Sequence, residues 1–191
     1  MPVSLSQWKL LALILAFFGP LFIAMMIYFN PHWFASPTPR SHGELITSAQ
    51  PLTDLAAVSY AEQPLPPDLL RGKWTLLYWN TAVCNLDCEA DLFKMRQVRL
   101  SLSKDIERTQ TMYLSDTLLP SAALKRHPKL ITAYLTPNPD SIFRRRLSNL
   151  PAGNTYLIDP LGNLVMRYSP DATSKGMLKD LKKLLRISRI G

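Results

Sequence analysis

Apolar positions along this chain are arranged in three ways. From Leu10 to Phe29, LLALILAFFGPLFIAMMIYF, they run for 20 residues without a charge. That is the length a helix needs to cross a bilayer. A cleaved signal peptide would have a shorter apolar core followed by a small-x-small site, which NPHWFAS does not supply. An uncleaved anchor is expected, with Gly19-Pro20 tolerated in its middle and Trp8, Lys9, Tyr28 and Trp33 marking its ends. Further on, KWTLLYWN, RTQTMYLSD and KLITAYL are short apolar runs without helical period and read as buried strands. Between and after them, apolar residues step by three or four. LDCEADLFKMRQVRLSLSKDIE and SKGMLKDLKKLLRI therefore read as amphipathic helices.

The remaining segments complete the order. LLPSAALKRH is a short helix or loop, and NPDSIFRRRLSNL a helix capped by Asn138, Asp140 or Ser141. NTYLIDPLGNLVMRYSP is a pair of strands joined by DPLGN, which holds the Pro and Gly of a hairpin turn. Strand and helix alternate and then end in a hairpin and a helix, which implies an α/β sheet of mixed direction flanked by helices. Proline-rich NPHWFASPTPRSHG and EQPLPPD suit a stiff spacer. The expected organisation is a short N-terminus (1–9), an anchor (10–29), a tether (30–67) and a folded domain (68–191). ELITSAQPLTDLAAV is placed to add an edge strand or hairpin.

Charge changes this picture in two places. The net charge is +8, concentrated in FRRR and in the C-terminal KGMLKDLKKLLRISRIG. Such clusters attract anionic lipid or acidic partners, although a solvated helix face is the plainer explanation. No nucleic-acid-binding motif accompanies the charge, so nucleic acid is not an expected partner. Lys9 precedes the anchor, and the first basic residue after it is Arg40. This places the N-terminus inside and the domain outside, in an oxidising compartment where cysteines can pair.

The chain's only cysteines, Cys84 and Cys88, fall in CNLDC, where the first buried strand hands over to a helix. Side chains four apart at a helix start share a face, close enough for a disulfide after modest adjustment. The helix N-terminus favours a thiolate, while Asp87 and Glu89 oppose it. An inert staple, a redox pair and a soft-metal site all fit this placement. A staple closing so short a loop would constrain the unfolded chain only modestly. Structural zinc would require four ligands, and there is no second cysteine pair.

LRGKWTLLYWNTAVCNLDCEADL and YLIDPLGNLVMRYSPDA resemble the Sco/SenC proteins of cytochrome c oxidase assembly, from about Gly72 to the C-terminus. The resemblance implies a thioredoxin-like domain behind a single transmembrane helix, on the outer (periplasmic) side of the inner membrane. It also implies work on the copper-site cysteines of an oxidase subunit, alone or with other assembly factors. Cys84 and Cys88 would carry that work, either as a thiol–disulfide oxidoreductase pair or as copper(I) ligands; a non-catalytic assembly scaffold with a degenerate site is the third alternative. Two departures matter. The copper-holding members have a histidine where this chain has Pro151, and a proline where it has Asn85. Of the three histidines, His127 is expected at the surface, while His32 and His42 fall in the tether. Met95, Met112 and Met166 are expected in the core. Pro151 also lies where thioredoxin-like oxidoreductases place a cis-proline beside their cysteines.

Overall fold

The computed structural model describes residues 5–30, 41–52, 57–59, 65–135, 145–147 and 149–188. The chain divides into two compact units, Met1–Arg40 and Ser41–Gly191. The first contains helix α1 (Leu5–Phe29), which carries Pro20 within it. Its stretch Gln7–Phe29 has a mean hydropathy of 2.7, long and apolar enough to cross a membrane.

The second unit is built on a seven-stranded mixed sheet. In chain order its strands are β1 (Glu44–Pro51), β2 (Ala57–Ser59), β3 (Trp74–Asn80), β4 (Thr109–Ser115), β5 (Leu130–Leu135), β6 (Asn154–Ile158) and β7 (Asn163–Tyr168). In space the order is β1-β7-β6-β3-β4-β5-β2. Strand β3 lies at the centre, parallel to β4 and antiparallel to β6. All seven of its side chains are buried, as the unbroken apolar run predicts. They alternate between two cores. Trp74, Leu76 and Tyr78 face the layer that also holds α2 (Leu86–Leu100) and the C-terminal helix α4 (Ser174–Ile187). Leu77 and Trp79 face the other layer, with Leu52, Leu70, Leu147 and Ile158.

The segment ELITSAQPLTDLAAV does not form a hairpin. Its two strands go to opposite edges of the sheet, β1 onto β7 and β2 onto β5. The compact unit thus begins upstream of residue 68, at Ser41. The expected hairpin DPLGN is present, and its closure is local. The Asp159 carboxylate accepts the Leu161 and Asn163 N–H groups at 2.9 and 2.8 Å, and Gly162 takes φ +88°. The long helix expected through Glu107 stops at Leu100. Beyond Ser101, Ser103 turns to a left-handed φ of 55°, and Ser103–Arg108 continues as a 3-10 segment. Serines offer the backbone local hydrogen bonds that compete with the helix. Helix α3 (Ser121–Arg126) fills the short-helix position. The expected caps Asn138, Asp140 and Ser141 lie outside the described residues; residues 145–147 are helical, and Leu147 is buried.

One buried carboxylate ties the start of the unit to its end. Asp180 of α4 is 4% exposed. It accepts the backbone N–H groups of His42 and Gly43 at 2.7 and 3.1 Å, the Tyr168 hydroxyl at 3.4 Å, and faces His42 Nδ1 at 3.2 Å. Burial and the Asp180 charge together push the Tyr168 phenol far above its ordinary value. The approach is close on both sides, because a methyl group at Gly43 or Gly176 would meet Tyr168 or His42 at 2.6 or 2.9 Å. Asp180→Ala would leave three donors buried and unpaired, so a loss of about 3 kcal/mol is expected in equilibrium unfolding of the full chain in detergent. Asp180→Asn, which keeps an acceptor, is expected to lose less.

Candidate redox site at Cys84 and Cys88

The site forms where β3 ends. Asn80 closes the exit by accepting the Thr81 N–H and donating to the Ala82 carbonyl, at 3.0 and 2.8 Å. Thr117, just past β4, donates to the same Ala82 carbonyl at 3.1 Å. The loop that carries Cys84 is therefore tied to two adjacent strands. Asn85 then starts α2. Its backbone is extended, and its side chain accepts the Cys88 N–H at 3.0 Å. Asparagine is a strong N-cap because this bond satisfies a donor that the helix itself leaves open. A proline in that place could not make it.

Cys84 and Cys88 are joined in a disulfide with their Cα atoms 5.2 Å apart. Cys84 is 8% exposed and Cys88 2%, so an incoming group reaches the Cys84 sulfur first. Two large apolar side chains flank it in the open, Val83 at 67% and Leu86 at 84% exposure. A cleft of about 370 Å³ lies alongside, lined by Val83, Asn85, Asp87, Asp91, Lys94 and Gly153, among others.

Three residues on its wall escape a reading of motifs. Asp91 is buried one helical turn after Cys88, Lys94 pairs with it at 2.8 Å, and Lys94 also donates to the Pro170 carbonyl at 2.7 Å. Tyr78 reaches the same carboxylate, and its phenol is pushed up to about 12, first by burial and then by Asp91. Tyr78 stacks on Tyr113 with ring centroids 6.2 Å apart. The available signal was Asp91 itself, a charge beside Leu92 and Met95 on the apolar side of an amphipathic helix.

The other candidates are dispersed. His127 is buried at 6% exposure and not at the surface, because the turn after α3 folds it against Leu92 and Leu130. Burial, followed by Arg96 and Arg126, holds its imidazole below the usual value. His42 is not free to reach the cysteines, since its backbone and ring are engaged by Asp180. His32 lies outside the described residues. Met95 and Met166 are core residues on the cysteine side of the sheet, and Met112 is a core residue on the other side. Pro151 follows a trans peptide bond, as do all described residues. It lines a different hollow, with Glu44, Leu45 and Tyr156, and its carbonyl accepts from the Tyr156 hydroxyl at 2.7 Å. Gly153, two residues on, is the part of that loop that meets the site, donating to the Trp79 carbonyl at 2.8 Å. A cis-proline beside the cysteines is thus replaced by a glycine N–H on the end of β3.

Copper(I) tests poorly against these donors. Two thiolates are suitable soft ligands once the disulfide is reduced. Pro151 has no side-chain donor, and among the described residues no group of three His, Cys, Asp or Glu side chains converges. A three-ligand site does not fit.

The tyrosines make the alkaline limit of the fold predictable. Tyr78 and Tyr156 are both pushed up to about 12 from 10.0, chiefly by burial. The unfolded chain loses these protons near pH 10 while the folded chain retains them. Stability is therefore intact below pH 10 and lost as pH rises toward about 12. Tyr78→Phe is expected to flatten part of that loss in denaturation at stepped pH. Asp91→Asn is expected to lower the Tyr78 ionisation, read from tyrosinate absorbance.

Comparison with known proteins gives one consistent placement. No curated protein sequence matches. The solution structure of apo Sco1 from Thermus thermophilus superposes with a TM-score of 0.59 at 18% identity, covering 78% of this chain and 99% of that one. Copper-bound ScoI from Arabidopsis thaliana gives 0.59 at 18%, covering 73% and 99%. The thioredoxin domain of a thiol-disulfide oxidoreductase from Bacteroides vulgatus gives 0.55 at 9%, covering 73% and 98%. At such identities these likenesses establish the fold, which is thioredoxin-like and shared with Sco proteins and disulfide oxidoreductases alike. The family model for the transmembrane-like, thioredoxin-like C-terminal domain matches residues 74–188, from the first residue of β3 to just past α4. The chain belongs to this transmembrane-like, thioredoxin-like family.

Proposed function

We propose that this protein is a membrane-anchored thiol–disulfide reductant that keeps the copper-site cysteines of a respiratory oxidase reduced during assembly. The observation that carries the reading is the i, i+4 disulfide at the carboxyl end of the central strand, with no third His, Cys, Asp or Glu converging on it among the described residues. The fold supports it, being common to Sco proteins and a thiol-disulfide oxidoreductase.

In the working direction the pair starts reduced. The Cys84 thiolate, on the more exposed sulfur, attacks one sulfur of a client disulfide and releases the other as a thiolate. Cys88, one helical turn deeper, attacks Cys84 in the mixed disulfide. The second client thiolate leaves, and the Cys84–Cys88 disulfide remains. A dithiol donor outside the membrane must then return two electrons. The anchor Leu10–Phe29 holds the domain where such clients lie, on the outer side of the inner membrane, as the asymmetry of Lys9 and Arg40 favours.

Delivery of copper(I) through the same two sulfurs is the second reading. What favours it is that the same fold is found in ScoI with copper bound. What weighs against it is Pro151 at the histidine position of the copper-holding pattern.

The reduced protein is expected to reduce a peptide bearing a Cys-x-x-x-Cys disulfide. Cys84→Ser should abolish turnover, and Cys88→Ser should accumulate a mixed disulfide visible by mass spectrometry. Stoichiometric copper(I) binding that survives competition by a chelator, together with no disulfide reduction, would move the function to copper delivery.

A further inference from the structure

Helix α4 carries a cationic face that the redox chemistry does not use. Lys175, Lys179, Lys182, Lys183 and Arg186 are all exposed. At 100° per residue they fall within roughly 100° of arc, along about 16 Å of helix. The opposite side, Met177, Leu181 and Leu185, is packed in the core with Gly176 and Asp180. Asp180, the helix's one carboxylate, is buried under His42 and Gly43, so it does not balance the stripe. Asp105 is paired with Arg108, and Asp171, hydrogen-bonded to Ser169, is an acid that precedes the helix start. Among the described residues, no ion pair reaches any of the five cations.

The choice of occupant comes from chain connectivity. The Asp180 clasp that buries the helix's only acid also fixes Ser41–Gly43, the first residues of the compact unit, against this helix. From Phe29, the end of the apolar helix, to Ser41 the chain can reach at most about 40 Å. On the anchored reading, so short a connection keeps the domain at the membrane. A predominantly cationic face so tethered meets anionic headgroups at high effective concentration. Met177, Leu181 and Leu185 are committed to the core and only the terminal Ile187 is open, so contact is chiefly by charge.

We propose that the Lys175–Arg186 face of α4 docks the domain on anionic phospholipid headgroups of its own membrane. This rests on the anchored reading above. Docking limits the orientations of the domain and so the positions from which the Cys84 sulfur meets a membrane-bound client.

The test uses the full chain in nanodiscs of phosphatidylcholine alone or with phosphatidylglycerol, with lysine acylation read by mass spectrometry. Lys175, Lys179, Lys182 and Lys183 are expected to react roughly threefold or more slowly in the anionic discs at low salt, and equally in both at high salt. Lys125 on α3 and Lys129 on the turn after it, both exposed, serve as controls and should not change. Replacing all four stripe lysines by Gln should leave reduction of a soluble disulfide unchanged while abolishing the salt-sensitive protection of Arg186 from phenylglyoxal. Equal lysine reactivity in both lipids at low salt would overturn the proposal. Loss of the chain from discs after an alkaline carbonate wash would instead overturn the anchored reading, and docking with it.

Discussion

The pairing of β3 on both of its edges is the constraint from which the rest of the second unit follows. With β4 parallel on one side and β6 antiparallel on the other, every backbone donor and acceptor of this strand is positioned between neighbours. Its side chains are then buried on both faces and are apolar except for Thr75 and Asn80, whose side chains are hydrogen-bonded. The parallel pairing also forces a crossover, which α2 supplies, so the strand's carboxyl end opens into a helix N-terminus. The cysteines occupy that junction. Asn85 turns it into a helix start, and Gly153 closes over it from the hairpin side.

Around this junction the electrostatics oppose one another. The helix N-terminus favours a thiolate, while Asp87 and the buried Asp91 disfavour additional negative charge. Lys94 offsets Asp91 by direct pairing, and Tyr78 holds its proton against it. Asp91 is thus compensated from within its own helix and from the adjacent strand. Pro151 stands apart from this junction. Its carbonyl is taken by Tyr156, and it lines a hollow with β1 residues Glu44 and Leu45.

Asp180 plays the corresponding part at the other end of the layer. A lone carboxylate in a core is costly unless its oxygens are well occupied. Here they accept from two backbone amides and a phenol, contributed by residues as far apart as 42 and 168. The same group therefore recruits the segment just after the tether into the domain and strips α4 of its only negative charge. Structural closure and surface electrostatics are two effects of one side chain.

Much of this was legible in the sequence. The unbroken apolar run of Leu10–Phe29, the strand KWTLLYWN, the DPLGN turn and the amphipathic period of α4 depend on local geometry and on burial of neighbouring residues, so composition and spacing were enough. The cysteine pair at a strand-to-helix handover was legible for the same reason. Tertiary structure alone decided what depended on distant partners. ELITSAQP became an edge strand only because β7 offered an unpaired edge, and AVS went to the opposite edge on β5. His127 was buried by a turn packing on α2, and His42 was fixed by a carboxylate 138 positions away. Neither contact has a period or a motif, since a hydrogen bond across the fold leaves no trace in local spacing. The amino-acid order determined where the elements and the reactive sulfurs lie, and three-dimensional packing decided which polar groups each of them meets.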